Sequence, residues 1–433
     1  MVIISTFADV GIPPIDLWTS YLERKKEYPN DHALLIDGDT GRSFTFTQIK
    51  QLSESFGRGL VHTFNWFKGD ILAFYTPNHV EVPIINLGLH WAAGVGSPAN
   101  PLYTIGELAN QLKDFGAKAL VTQSQFLDSA LRAADNAGIA RDRVLLVGER
   151  GDGDTNFLHW TDIASAGGSI QLAKPQIDPG KDLAYLVYSS GTTGFPKGVM
   201  LTHQNMVANG IQSIGIDIKD LHWEKDIQLG VLPFFHLYGL AVVLHTTFLS
   251  GSKCVIMSKW DLEKACQLIQ RYRLTCAYVP PPIVLALSKQ PVVSHYDLSS
   301  IRWINAAAAP VSRELVDAVW ARLKIRVKQG YGLLETSPTY TTQFIDEWST
   351  FQGSVGKLFP NMTAKIVDPD GNEVPQGKFK TSDIFYIDDK GNFYITDRIK
   401  ELIKYKGFQV PPAELKNKLP RHEKILNSYV IGV

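Results

Sequence analysis

Cysteine is scarce in this chain, three residues in 433, and none of Cys254, Cys266 and Cys276 forms a C-x-x-C pair. That excludes a disulfide framework and a cysteine-ligated zinc site, and it assigns all three thiols to the core of a reduced protein. A surplus of charge is also missing, because Lys plus Arg and Asp plus Glu stand at 43 each. With no net field to draw in polyanions, nucleic acid is excluded as a partner. The longest apolar run, Gly239 to Leu249, holds His245 and falls short of the roughly 20 residues a membrane-spanning helix needs. The start, MVIISTFADVGIPP, has no basic cluster and no apolar core ahead of a small-residue cleavage site, and Ile431-Gly432-Val433 is not a peroxisomal address. The expectation is a cytoplasmic protein.

What is present is a globular composition, with 45% hydrophobic and 20% charged residues, in a chain long enough for two or more packed units. The first 330 residues alternate short β-rich runs with helical patterns, the sign of βαβ units around a largely parallel sheet. Ile71 to Tyr75 reads as a strand, followed by a helix over Val80 to Ala93. Thr104 with Glu107 three residues on predicts a capped helix leading to a strand at Ala119 to Thr122. The rhythm returns as a strand at Lys253 to Met257, a helix opened by Asp261 and a strand at Thr275 to Val279. After about Phe351 the turns D-P-D-G at Asp368 and D-D-K-G at Asp388, flanked by Ala364 to Val367 and Asn392 to Thr396, predict hairpins and a smaller β-rich part.

Leu183 to Val199, LAYLVYSSGTTGFPKGV, begins as an apolar strand and turns abruptly to Ser, Thr and Gly. Small residues let backbone N–H groups approach a ligand, Ser189, Ser190, Thr192 and Thr193 add hydroxyl donors, and Lys197 adds a mobile cation, which together suit a triphosphate. The P-loop pattern G-x-x-x-x-G-K-S/T cannot be laid over the segment, so a P-loop nucleotidase is not indicated.

The string YSSGTTGFPKGVMLTH, Tyr188 to His203, resembles the phosphate-binding signature of the AMP-forming acyl-CoA synthetases and 4-coumarate–CoA ligases, and the resemblance runs over nearly the whole chain. It implies an α/β adenylate-forming fold. Residues 1–396 would form a large N-terminal AMP-binding domain of α/β subdomains plus a β-rich part from about 351, and 397–433 a hinge and a truncated C-terminal lid.

The same resemblance implies the site. Ser189, Ser190, Gly191, Thr192, Thr193, Gly194 and Lys197 would wrap the phosphates, with Thr192, Lys197 and Glu335 catalytic. LPFFHLYGL puts His236 and Tyr238 in the acid pocket with Ala307, Ala308 and Gly332. QGYGLLETSP gives Gln329, Gly330, Tyr331 and Gly332 to adenine, together with Ala308, and Glu335 to Mg²⁺. Asp383 would take the ribose hydroxyls, Asp397 would be the hinge, and Arg398, Lys404 and Gln409 would approach the nucleotide and thiol.

The chain departs from the family pattern at several points. Ala306 and Ala307 stand where the family has Ser and Gly, so a methyl at Ala307 either narrows the pocket or sits at positive φ. Leu334 replaces a Thr that donates to the α-phosphate, a loss of about 1.5–3 kcal/mol, and Ser382 replaces a Gly. Gln376-Gly377 passes directly into Lys378-Phe379, where relatives insert several tens of residues. Val433 falls before the P-K-T/S-x-S-G-K lid segment, whose last Lys is worth about 10²–10³ in rate.

The activity implied is acid–CoA ligation, in which ATP activates a carboxylic acid to an acyl-adenylate and CoA then takes the acyl group. The alternative is a catalytically impaired nucleotide-binding relative or a truncated gene product. A peptide-synthetase adenylation module and luciferase-type oxidation share the first half-reaction, and no carrier domain or other positive sign favours either.

Overall fold

A computed structural model describes residues 2–151, 153, 156–189, 197–217, 219–367, 377–378, 383–398, 403–405 and 408–410. At 189, 377–378, 383–384, 396–398, 403–405 and 408–410 it describes backbone alone. Contacts divide the chain into two compact units, a larger one of Gly11–Tyr278 with Leu333–Pro338, and a smaller one of Met1–Val10, Val279–Gly332 and Thr339–Val433.

In the larger unit a six-stranded sheet runs in the order Val144–Leu146, Ala119–Thr122, Ile71–Tyr75, Val95–Ala99, Leu183–Ser189 and Lys197–Thr202. The first five are parallel and the last pair antiparallel. Parallel neighbours need helical crossovers, supplied by Val82–Trp91, Ile105–Phe115 and Leu127–Ala137. Every residue of Val82–Trp91 is buried, the polar Asn86 and His90 included, as a helix apolar nearly all round requires. This helix is shorter than the expected Val80 to Ala93. Pro83 suits its first turn, and Ala93 sits at φ 55°, which helical propagation forbids.

Ile105–Phe115 has the predicted capping box: Thr104 accepts from the Glu107 amide while the Glu107 carboxylate accepts from the Thr104 amide. Asp261 likewise caps Leu262–Tyr272 through the Lys264 amide at 2.8 Å. A second group of strands in this unit runs in the order Ser43–Thr45, Ala33–Asp37, Lys253–Ile256, Ile227–Gly230 and Cys276–Val279. All three cysteines are buried free thiols, as expected.

The run after His236 adopts a π-helical segment, Tyr238–Val243, that continues as the helix Leu244–Ser250, all of it buried. Among the described residues no helix is long and apolar enough to cross a membrane.

The smaller unit pairs Trp303–Ala306 with Arg326–Gly332 in parallel, then adds Thr339–Thr342 and Lys357–Leu358 antiparallel. Its antiparallel part therefore begins before Phe351. Val2–Ile4 pairs with Thr363–Lys365, a register joining segments about 360 residues apart that no local pattern announces. The predicted turn at Asp388 closes a hairpin of Asp383–Ile387 and Phe393–Arg398, with the Asp388 carboxylate accepting from Lys390, Asn392 and Tyr394. The D-P-D-G turn lies outside the described residues.

Candidate active site

Within the larger unit, Leu183–Ser189 and Lys197–Thr202 form an antiparallel pair in which Ser189 is the partner of Lys197 and Tyr188 of Gly198. The register therefore brings together the two ends of the Ser/Thr/Gly segment. Ser190, Gly191, Thr192, Thr193 and Gly194 lie outside the described residues. The Tyr188 ring stacks on Phe115 at 4.4 Å between centroids, and its hydroxyl donates to the Asp114 carboxylate. Burial first, and then Asp114, raise the Tyr188 pKa, so the phenol stays protonated and remains a donor.

His236 and Tyr238 separate in character. Solvent reaches the His236 ring, yet dense surroundings lower its pKa below the usual value, and its Nδ1 accepts from the Tyr238 amide at 3.2 Å. Tyr238 is buried, edge-on to Tyr278, whose hydroxyl donates to Asp217 at 3.1 Å.

Glu335 is exposed on the short turn Leu334–Thr336. The Thr336 hydroxyl accepts from the Leu333 amide at 3.0 Å and donates to the carbonyls of Leu333 and Pro338. That hydroxyl is committed to the turn, so it is not spare to replace the Thr that Leu334 displaced. No cluster of three or more His, Cys, Asp or Glu able to hold a metal occurs among the described residues. A lone carboxylate nevertheless fits Mg²⁺, which keeps several waters and is held largely by substrate phosphates.

In the smaller unit, Ala306 is the strand partner of Gln329. Strand pairing thus brings the AAAAP segment alongside the start of QGYG. Of the two alternatives for Ala307, positive φ is not adopted there; it falls one residue later, on Ala308 at 71°, where the exposed chain leaves the strand. Ala307 instead holds the strand end, its amide donating to the Val279 carbonyl at 3.3 Å. A β-carbon on Gly330 would lie 3.2 Å from the Thr341 carbonyl oxygen, tight enough that a side chain there would push the partner strand.

Tyr331 is buried edge-on to Phe385 and Tyr340, and Phe393 closes a four-ring cluster. Through Phe385 this cluster anchors the strand that carries Asp383, whose backbone partner is Arg398; Asp397 is the partner of Ile384. Lys404 and Gln409 are partners in a separate two-stranded pair, Ile403–Tyr405 with Phe408–Val410.

Sequence reasoning missed two supports. Gln343, fully buried, accepts from the Gln329 amide at 2.8 Å and donates to the Phe351 carbonyl at 2.7 Å, pinning the strand of the candidate adenine segment. Glu81, also buried, accepts from Arg42 at 2.6 Å, the Trp160 indole at 2.8 Å and the Gly148 amide at 3.1 Å. Nothing in the neighbouring sequence marks either residue, and only tertiary contacts give it meaning.

This architecture is that of the adenylate-forming enzymes. It superposes on the anthranilate CoA ligase AuaEII in complex with anthranoyl-AMP with a TM-score of 0.86, at 21% identity over 98% of this chain and 85% of that one. It also superposes on ATP-bound MatB from Rhodopseudomonas palustris with a TM-score of 0.82, at 25% identity over 96% and 85% of the two chains.

The chain matches the AMP-binding enzyme family over residues 22–379 and belongs to it. It is 34% identical to 4-coumarate–CoA ligase 2 of Petroselinum crispum over 99% of this chain and 84% of that one, and 33% identical to 4-coumarate–CoA ligase 3 of Arabidopsis thaliana over 99% and 81%. It is an AMP-forming acid–CoA ligase by this kinship, and use of ATP and CoA follows from it. The alignment to the Petroselinum enzyme spans 464 positions against the 433 residues of this chain, so at least 31 residues of that relative have no counterpart here. The family match itself stops at residue 379.

Proposed function

We propose that this chain activates a medium-sized organic acid, aryl or fatty, in the cytoplasm. A carboxylate oxygen attacks the α-phosphorus of ATP, pyrophosphate leaves, and an acyl-adenylate remains. The CoA thiol then attacks the acyl carbonyl and AMP leaves with the bonding electrons.

The observation that carries this reading is the Ser189–Lys197 register, which pairs the two residues flanking a run of hydroxyl and glycine residues at the end of two strands. Amide and hydroxyl donors from that run, with Lys197, would stabilise the charge that develops on the phosphates, where nucleotidyl transfer gains most. Thr192 and Lys197 are assigned to that charge, with Ser189, Ser190, Gly191, Thr193 and Gly194 around the phosphates. Glu335 would hold Mg²⁺, which supplies further charge neutralisation when bound.

Gln329, Gly330, Tyr331 and Gly332, with Ala308, are assigned to adenine and Asp383 to the ribose. The pairing of Asp383 with Arg398 supports a common role for those two strands. Ala307, Ala308, Gly332, His236 and Tyr238 are assigned to the acid, Asp397 to the hinge, and Lys404 and Gln409 to the approach of phosphate and thiol. Residues 1–396 would act as the nucleotide-binding domain and those from 397 onward as the lid.

Acid-dependent exchange of labelled pyrophosphate into ATP, run over a panel of aryl and fatty acids, tests the reading. Exchange with at least one acid, followed by acyl-CoA formation, is expected. A folded chain that exchanges with none of them overturns it. The impaired-relative reading, favoured by Leu334 and by the committed Thr336 hydroxyl, predicts that nucleotide binding survives without exchange.

A further inference from the structure

Both strands that carry the Ser/Thr/Gly segment rest on the same aromatic ring at the last rung but one before it. On one strand the Tyr188 ring lies on Phe115, 4.4 Å away and tilted by 29°. Opposite it, Gly198 is packed so closely that a β-carbon would come within 2.7 Å of Phe115 Cε1. The neighbouring Asp114 carboxylate accepts a hydrogen bond from the Tyr188 hydroxyl, so the stack is also tied at its polar end. Phe115 and Asp114 end the helix Ile105–Phe115, whose capping box fixes the far end and whose Gly116 terminates it at φ 64°.

From this arrangement we infer that Phe115 and Asp114 are positioning residues for ATP phosphate binding, setting the spacing of the paired strands at Tyr188 and Gly198. The inference rests on the function proposed above. A helix end braced on both strands transmits its position to the rung formed by Ser189 and Lys197, the next in the register. Neither residue touches the nucleotide in this account. Their effect is on where the donors stand, and small displacements of such donors are felt strongly in transfer reactions.

The test measures pyrophosphate exchange against ATP and against acid concentration in wild type, Phe115→Ala, Phe115→Tyr, Tyr188→Phe and Asp114→Asn. Phe115→Ala should raise KM for ATP by about two- to twelvefold, the worth of an aromatic pair, while KM for the acid stays within a factor of about two. Phe115→Tyr should restore the wild-type value, and Tyr188→Phe, which keeps the stack, should show the smaller effect.

Hydrogen–deuterium exchange should report faster exchange in the 185–189 and 197–201 amides of Phe115→Ala and no change in the strand Ala119–Thr122. Equal losses of folded protein and of kcat, with KM for ATP unmoved, would overturn the inference and leave Phe115 a packing residue. A wild type with no exchange activity would remove the reading beneath it, a failure visible before any variant is compared.

Discussion

Replacing Gln343 by Ala should damage the smaller unit in a way that can be worked out contact by contact. The side chain is fully buried and bonded at both ends of its amide, to the Gln329 N–H and to the Phe351 carbonyl. Truncation leaves the buried Gln329 donor without its acceptor, at about 1–3 kcal/mol, and removes the bond to Phe351, at about 0.5–1.5 kcal/mol. A loss of about 2–4 kcal/mol is expected. Gln343→Glu keeps an acceptor for Gln329 but offers Phe351 no donor when ionised, and burying its charge adds a further cost, so it should not rescue. Because Gln329 opens the segment assigned to adenine, Gln343→Ala should also raise KM for ATP. Urea unfolding followed by circular dichroism, beside ATP-dependent exchange kinetics, makes the check. A variant within about 0.5 kcal/mol of wild type, the scatter of surface substitutions, would refute the accounting.

Three further outcomes are expected. Glu81→Ala should destabilise the larger unit by about 2–4 kcal/mol, read as a lower urea midpoint, since the Trp160 indole and the Gly148 amide lose their acceptor, while Arg42, more than half exposed, returns to solvent. Leu334→Thr should raise kcat/KM for ATP by about tenfold or more, the worth of one charge-assisted hydrogen bond; an unchanged value in steady-state exchange assays would mean that position 334 does not reach the phosphate. Stability should fall on acidification. Burial holds His203 at about 4 and His245 at about 3, below the ordinary 6.5, so the native state keeps both neutral while the unfolded chain takes up protons. Below pH 6.5 the unfolded state binds more protons, and each histidine removes up to about 1.4 kcal/mol per pH unit until its folded value is reached. Thermal melts from pH 7 to 5 should show this decline, shallower in His245→Gln.

The parallel sheet of the larger unit was legible because its strands are short apolar runs separated by helical patterns. Ile71–Tyr75 and Ala119–Thr122 fall where the sequence puts them, and the Thr104–Glu107 box opens its helix. Local chemistry decides such elements. The register of Val2–Ile4 on Thr363–Lys365 depends on residues about 360 positions apart, and nothing near Val2 encodes it. Ala308 rather than Ala307 takes the left-handed conformation because the Ala307 amide is bound to Val279, a tertiary fact.

The site divides in the same way. Tyr188, Lys197, Gln329 and Asp383 stand out from motif strings, whereas Gln343, Glu81 and Phe115 do not, since a supporting residue is defined by what it touches. Tyr238 shows the converse: a motif residue whose ring the fold packs against Tyr278.

Calorimetric titration of ATP into the folded chain, with wild type beside Lys197→Ala and Asp383→Ala, most directly tests the claim that this chain activates acids through ATP. Saturable single-site binding by wild type is predicted, weakened by each substitution while the melting temperature holds. Absence of heat from a well-folded wild type, or binding that neither substitution alters, would contradict it.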